Sequence, residues 1–334
     1  MTIKVAINGY GRIGRALLRI ISQNPQYQDL ELVAINDLGD AQTLAHLTRY
    51  DSTFGPLHAE LSEHDGHWRI GQQHITLLAE KDPSKLPWQA LGVDLVLECS
   101  GKFKQRQQAA AHLLAGAKRV LASHPMDDAD LTLVYGVNHQ ALTGAMQVVS
   151  NASCTTNCLA PVAHVLDQLC GIESGLITTV HAYTNDQNLL DKTHSDLYRA
   201  RAAALSMIPS KTGAAKAVGL VLPHLNGKLD GLAVRVPTPN VSLVDLVAQV
   251  RTPLDKEALH HGFSQAAAAM PHGVLAVNDL PLVSVDFNGN PHSATLDSGQ
   301  TRVQGHLIKL MAWYDNEWGF AHRMLDVVQH WQTV

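Results

Sequence analysis

The first half of the chain alternates between short apolar runs and stretches of helical periodicity. Residues 3–8 are an apolar run of the kind that forms a strand buried on both faces. A glycine-rich turn follows. From Arg12 to about Asn24, Ile13, Leu17, Ile20 and Ile21 then share one helical face. A second apolar run at 30–36 completes a strand–helix–strand unit. The pattern continues with a helix over 41–50, a strand at 93–99, a helix over 105–115, and strands at 119–122, 131–135 and 147–150. Such interleaving predicts an α/β, Rossmann-type, mostly parallel sheet with helices on both faces.

The texture changes at Cys154. An apolar helix over 154–169 leads into alternating runs at 176–183, 232–236, 241–250, 281–287 and 307–314. These predict an α+β domain with a large, mainly antiparallel sheet wet on one face. Residues 184–211 are polar and aperiodic, and an irregular segment of that length is usually functional. Phe320, Met324, Val327, Val328 and Trp331 form the stripe of a docking helix over 318–331. The expected division is a dinucleotide-binding domain, 1–153, completed by a C-terminal helix at 317–334, and a catalytic domain, 154–316, that includes the 184–211 loop.

Composition narrows the class. The 334 residues are 46% hydrophobic and 16% charged, enough apolar material for two cores. A net charge of −5 gives no basic footprint for a nucleic-acid partner. No apolar run approaches the roughly 18 residues of a membrane span, and the N-terminal residues read as a strand, not a signal peptide. Cys99, Cys154, Cys158 and Cys170 are too few for a disulfide scaffold, and no Cys-x-x-Cys pair suggests a metal. The expectation is a soluble, cytoplasmic protein with no membrane, nucleic-acid or metal partner.

Two constellations carry chemistry. Gly9-Tyr10-Gly11-Arg12-Ile13-Gly14 follows a strand and opens a helix, the setting in which Gly-x-Gly-x-x-Gly binds a pyrophosphate. Gly9 permits the tight turn, Gly11 admits the phosphates, and Gly14 lets the helix approach the strand. Asp37 ends the second strand, where a carboxylate accepts ribose hydroxyls and repels a 2′-phosphate. The second constellation is Ser150-Asn151-Ala152-Ser153-Cys154-Thr155-Thr156-Asn157-Cys158, small capping residues ahead of an apolar helix. Cys154 at the helix N-terminus is a candidate nucleophile, its thiolate favoured by the macrodipole. Cys158, one turn further in, reads as core. His181 ends the next strand; an imidazole near Cys154 could form an ion pair and relay a proton, but among nineteen histidines position alone does not select this one.

With these segments, His181-Ala182-Tyr183-Thr184-Asn185-Asp186-Gln187, Arg235-Val236-Pro237-Thr238-Pro239-Asn240-Val241 and Trp313-Tyr314-Asp315-Asn316-Glu317-Trp318-Gly319-Phe320, the chain resembles the phosphorylating glyceraldehyde-3-phosphate dehydrogenases over essentially its full length. The resemblance implies oxidation of glyceraldehyde 3-phosphate with NAD and inorganic phosphate in a homotetramer, through a thiohemiacetal and an acyl-thioester on Cys154, with His181 as base. It implies that Thr184 and Arg235 hold the substrate phosphate, and that Ser153, Thr155, Thr212 and Gly213 hold the attacking one. Arg199 is a further candidate. Ser100 and Ser123 would line the cofactor cleft, and Asn316 would hold the nicotinamide carboxamide.

The sequence also departs from the family pattern. Phe320 stands where many members carry Tyr, and His124 replaces the Ala of Ser-Ala-Pro. Lys192-Thr193 occupies a common Leu-Pro position, which leaves NADP use open against Asp37. The rival readings are a hydrolytic erythrose-4-phosphate dehydrogenase, which shares Ser-His-Pro, a thiol redox sensor, and a dinucleotide-binding interaction protein. Thr212-Gly213 argues for phosphorolysis, since it supplies a hydroxyl and an N–H to the attacking anion.

Overall fold

The run Ile3–Asn8 becomes the central strand of a sheet because both its faces are covered: Val5, Ala6 and Ile7 are fully buried, as are Leu32, Ala34, Leu95 and Leu97 in its neighbours. The computed structural model describes residues 2–334. Among these, this sheet has nine strands, in the order Leu131–Thr132, Val148–Ser150, Arg119–Ala122, Leu95–Glu98, Ile3–Asn8, Leu30–Asn36, Gln73–Leu78, His67–Ile70, Leu61–His64. Pairing is parallel from Leu131–Thr132 to Gln73–Leu78 and antiparallel in the last two pairs. The strand–helix–strand opening is as expected, with helix Arg12–Gln23 burying Leu17, Ile20 and Ile21 and ending ahead of Pro25.

The second sheet is mixed. Its order is Ile208–Lys211, Leu229–Val236, Ile172–Ala182, Ser242–Val250, Leu307–Tyr314, Ala294–Asp297, Leu275–Asn278, with Arg302–Gln304 beside Leu307–Tyr314. Ile172–Ala182 runs parallel to Leu229–Val236, and Leu275–Asn278 to Ala294–Asp297; the other pairs are antiparallel. Burial alternates along Ser242–Val250, as a one-sided sheet requires.

Contacts divide the chain into two units. One holds the residues up to Leu133, His139–Ala152 and Ala321–Val334; the other holds Val134–Asn138 and Ser153–Phe320. Helix Trp318–Trp331 buries Phe320, Met324, Val327, Val328 and Trp331. Within the first unit its Asp326 accepts a hydrogen bond from the Tyr27 hydroxyl at 2.7 Å.

Several elements differ from the periodicity reading. Residues 281–287 form no strand: a 3-10 turn, Ser284–Phe287, occupies their end, with Val283 and Val285 exposed. The helix over 105–115 breaks into Arg106–Ala109 and Ala111–Leu114, and the strand at 131–135 shortens to Leu131–Thr132. The hairpin over 61–78 and helices Ala214–Val221 and Lys256–Ala269 were not foreseen, because their apolar positions are sparse or made of alanine. No helix among the described residues is long and apolar enough to cross a membrane, and no cluster of metal-ligating side chains occurs among them.

Candidate active site and cofactor cleft

In the first unit, the glycine-rich turn opens a cleft of ≈ 390 Å³ lined by Asn8, Gly9, Gly11, Asn36, Asp37 and Ser100, among others. Each glycine has its own reason. Gly9 has φ of 90°, and a Cβ there would lie 2.5 Å from the Ser100 nitrogen. A Cβ on Gly14 would lie 2.6 Å from the Gly9 carbonyl. Gly11 is different: its φ is −78° and a Cβ would meet nothing within 4 Å. Neither strain nor packing requires glycine there, so what its lack of a side chain preserves is open space. That space faces the start of helix Arg12–Gln23, which no side chain caps. Uncapped N–H groups behind an open cradle fit a pyrophosphate.

Arg12 and Ile13 form the first helical turn. Asp37 holds the turn together, accepting from the backbone N–H of Tyr10 and of Gly39, both at 2.8 Å, and its oxygens keep lone pairs toward the cleft. The Ser123 hydroxyl lies against the thiol of Cys99, which lines the cleft. His124 donates from Nε2 to the Phe103 carbonyl at 2.9 Å, and its own carbonyl accepts from Ser150 Oγ at 2.7 Å. It thereby staples the 101–104 loop to the segment that leads toward Cys154.

In the second unit, Cys154 is the first residue of helix Cys154–Cys170. Ser153 is the N-cap, its Oγ accepting from Thr156 N at 3.1 Å. The preceding Ala152 is held at φ 56°, an uncommon conformation for a residue with a Cβ. Strand Ile172–Ala182 delivers His181, with Nε2 3.5 Å from Cys154 Sγ. On the other side of the ring, Nδ1 lies 2.7 Å from the Ala182 carbonyl and 2.8 Å from Arg235 Nη1, which also donates to that carbonyl at 3.1 Å. Arg235 comes from the parallel neighbouring strand, in register with His181. Among the described residues no carboxylate pairs with Arg235, and its Nε is buried without a partner. A cation so left wants an anion.

Burial, then the Arg235 charge, drives the His181 imidazolium down to about 3. Burial also pushes the Cys154 thiol up, while Arg235 and the Thr155 donors pull it back. Both shifts run against the charged forms, since an imidazolium here would face Arg235 in an enclosed site.

Cys158 is fully buried, its thiol pushed up by burial. Thr155 Oγ1 lies 2.9 Å from the Tyr314 hydroxyl, which also meets Thr179 Oγ1 at 2.8 Å. Thr184 is anchored through its backbone N–H to Gln187 Oε1 at 2.9 Å. Thr212 Oγ1 accepts from Ala214 N at 3.2 Å, and Gly213 caps helix Ala214–Val221 with open space where a Cβ would stand. Arg199 pairs with Asp186 and donates to Ser210 Oγ at 2.7 Å, tying the loop to strand Ile208–Lys211.

Ser242 and Tyr314 escaped the sequence reading. Ser242 Oγ accepts from the Ala182 N–H at 3.1 Å and donates to Asn316 Oδ1 at 2.8 Å. It couples the His181 strand to the Asn316 amide and fixes which end of that amide is the oxygen. The only signal was a serine in the buried phase of an apolar strand. Its neighbour Val241 sits at φ 66°, costly for a β-branched residue.

Residues 3–106 match the NAD binding domain of glyceraldehyde 3-phosphate dehydrogenase, and residues 153–316 match its C-terminal domain. A glyceraldehyde-3-phosphate dehydrogenase of Pseudomonas aeruginosa is 57% identical over 98% of this chain and 97% of its own. The chain belongs to the glyceraldehyde-3-phosphate dehydrogenase family. Family members from Xanthobacter flavus, 56% identical over 98% of this chain and 97% of theirs, and Geobacillus stearothermophilus, 51% over 99% and 98%, agree with this placement. The glycine-rich turn lies within the NAD-binding match and Cys154 within the C-terminal match, and the dinucleotide is NAD.

Proposed function

We infer that this chain converts glyceraldehyde 3-phosphate and inorganic phosphate to 1,3-bisphosphoglycerate, reducing NAD, as a bacterial-type phosphorylating enzyme. The observation that carries the reading is the Cys154–His181–Arg235 row, with a thiol, a base and an unpaired cation in line. With Nδ1–H donating to the Ala182 carbonyl, Nε2 is the acceptor: Cys154 Sγ attacks the aldehyde carbon and its proton passes to His181 Nε2. The thiohemiacetal oxygen forms beside the helix N-terminus, whose N–H groups stabilise it. A substrate phosphate on Arg235 neutralises the charge that faces His181, so the base strengthens as the substrate binds. His181 returns its proton to the thiohemiacetal oxygen, giving the hydroxyl, and takes it back as the carbon gives up hydride and the acyl-thioester forms. Bound NAD supplies the hydride acceptor. Phosphate attacks the thioester carbon and Cys154 leaves as the thiolate, which the helix N-terminus favours.

The turn, Asp37 and Ser100 would hold NAD in the first unit, and Asn316 would present its NH₂ to the carboxamide. Ser153, Thr155, Thr212 and Gly213 would hold the attacking phosphate. Thr155 and Ser153 keep hydrogen-bonding capacity beyond the contacts described above. Asp37 favours NAD over NADP. The homotetramer is supported by the 184–211 loop, where Leu189, Leu190, Leu197, Tyr198, Leu205 and Met207 are exposed.

Initial rates of NAD reduction test the reading, with glyceraldehyde 3-phosphate or erythrose 4-phosphate, each with and without phosphate. Phosphate-dependent turnover of the triose, lost in Cys154→Ser, is the expected result. Faster phosphate-independent oxidation of the tetrose would overturn it.

A further inference from the structure

At the carboxyl ends of three adjacent parallel strands, Asn36, Asn8 and Glu98 stand in register. Glu98 and His112 are wholly buried and have no part in the chemistry above. Hydrogen bonds run through them as a chain whose direction is set at both ends. At one end Trp88 Nε1, which can only donate, meets His112 Nδ1 at 3.0 Å. His112 Nδ1 must accept, so its proton is on Nε2, 3.0 Å from Glu98 Oε2. At the other end the Glu80 backbone N–H donates to Asn36 Oδ1 at 2.8 Å. That turns Asn36 Nδ2 toward Asn8 Oδ1 at 2.7 Å, and Asn8 Nδ2 toward Glu98 Oε2 at 2.5 Å. Ser100 adds its N–H at 2.8 Å and its Oγ at 2.5 Å to Glu98 Oε1. The carboxylate therefore collects four donors. Burial pushes its pKa up, and the bonds from His112, Ser100 and Asn8 more than reverse this.

Asn8, Asn36, Glu80 and Ser100 all line the cofactor cleft. We propose that Glu98 is its positioning residue, a buried anion that holds Asn8 and Ser100 in the geometry that receives the dinucleotide. The inference rests on the assignment of this cleft to NAD. It singles out the carboxylate because no amide replaces it. Wherever the NH₂ of a glutamine points, it meets either the Ser100 N–H or the donors of Asn8 and His112, and all of these are fixed donors.

NAD binding by the purified full-length protein, followed by calorimetry beside steady-state kinetics, is the test. In Glu98→Gln the dissociation constant and KM for NAD should rise about tenfold or more, with kcat at saturating NAD within about twofold. If the wild type binds NAD and a folded Glu98→Gln binds it equally well, the inference falls while the cofactor reading stands. If the wild type binds no NAD, both fall. A purely structural role would lower the melting temperature and leave the affinity of the folded protein alone, which also overturns it.

Should Glu98→Gln not fold, His112 decides. His112→Gln can accept from Trp88 and donate to Glu98, so it should keep NAD affinity. His112→Leu can do neither and should weaken affinity about tenfold. Equal affinities in these two variants would overturn the inference.

Discussion

At the scale of single residues, the site is a contest between burial and charge. His181 is the acceptor for the Cys154 proton, so His181→Asn should lower kcat by about 10²–10⁴. It should also slow alkylation of Cys154 by iodoacetamide at pH 7, and a kcat within a factor of two of wild type would refute the base assignment. The same histidine has a stability signature. It is held at about 3 in the folded chain against 6.5 when exposed, so the unfolded chain binds its proton first. Stability should therefore fall as pH drops from about 6.5 toward 3. Melting temperatures measured across that range should fall less steeply in His181→Asn than in the wild type.

Elements decide which glycines and caps matter. Gly9 and Gly11 look alike in the motif, yet only Gly9 is required by a positive φ and a close backbone approach. Gly11→Val should fold with nearly wild-type melting and lose NAD affinity at least about tenfold, because its side chain fills the pyrophosphate cradle. Gly9→Ala should be destabilised outright. Calorimetry and thermal melts on the two variants separate these outcomes. The N-cap of the cysteine helix is a local device of the same kind. Ser153→Ala should cost about 1 kcal/mol in denaturant unfolding.

For the whole molecule, the exposed apolar residues of the 184–211 loop are the largest unpaid debt of the isolated chain. Light scattering should give four times the 36.2 kDa chain mass. Leu197→Asp combined with Met207→Asp should shift it to smaller species, and an unchanged mass would place the subunit contacts elsewhere.

The sequence alone determined what depends on local order: the strand–turn–helix around Gly9–Gly14, the cysteine at a capped helix start, and the family they mark. Burial on both faces makes the first strands continuous apolar runs, so residues 3–8 and 30–36 were legible. The alternation at 281–287 predicts a strand that does not form, because alternation does not distinguish a buried strand from an exposed irregular segment. Only the tertiary structure decided how His181 meets Arg235, that Ser242 orients Asn316, and that Glu98 gathers donors from distant segments. Those contacts join residues tens of positions apart, and both protonation and hydrogen-bond direction follow from what each group faces once water is excluded.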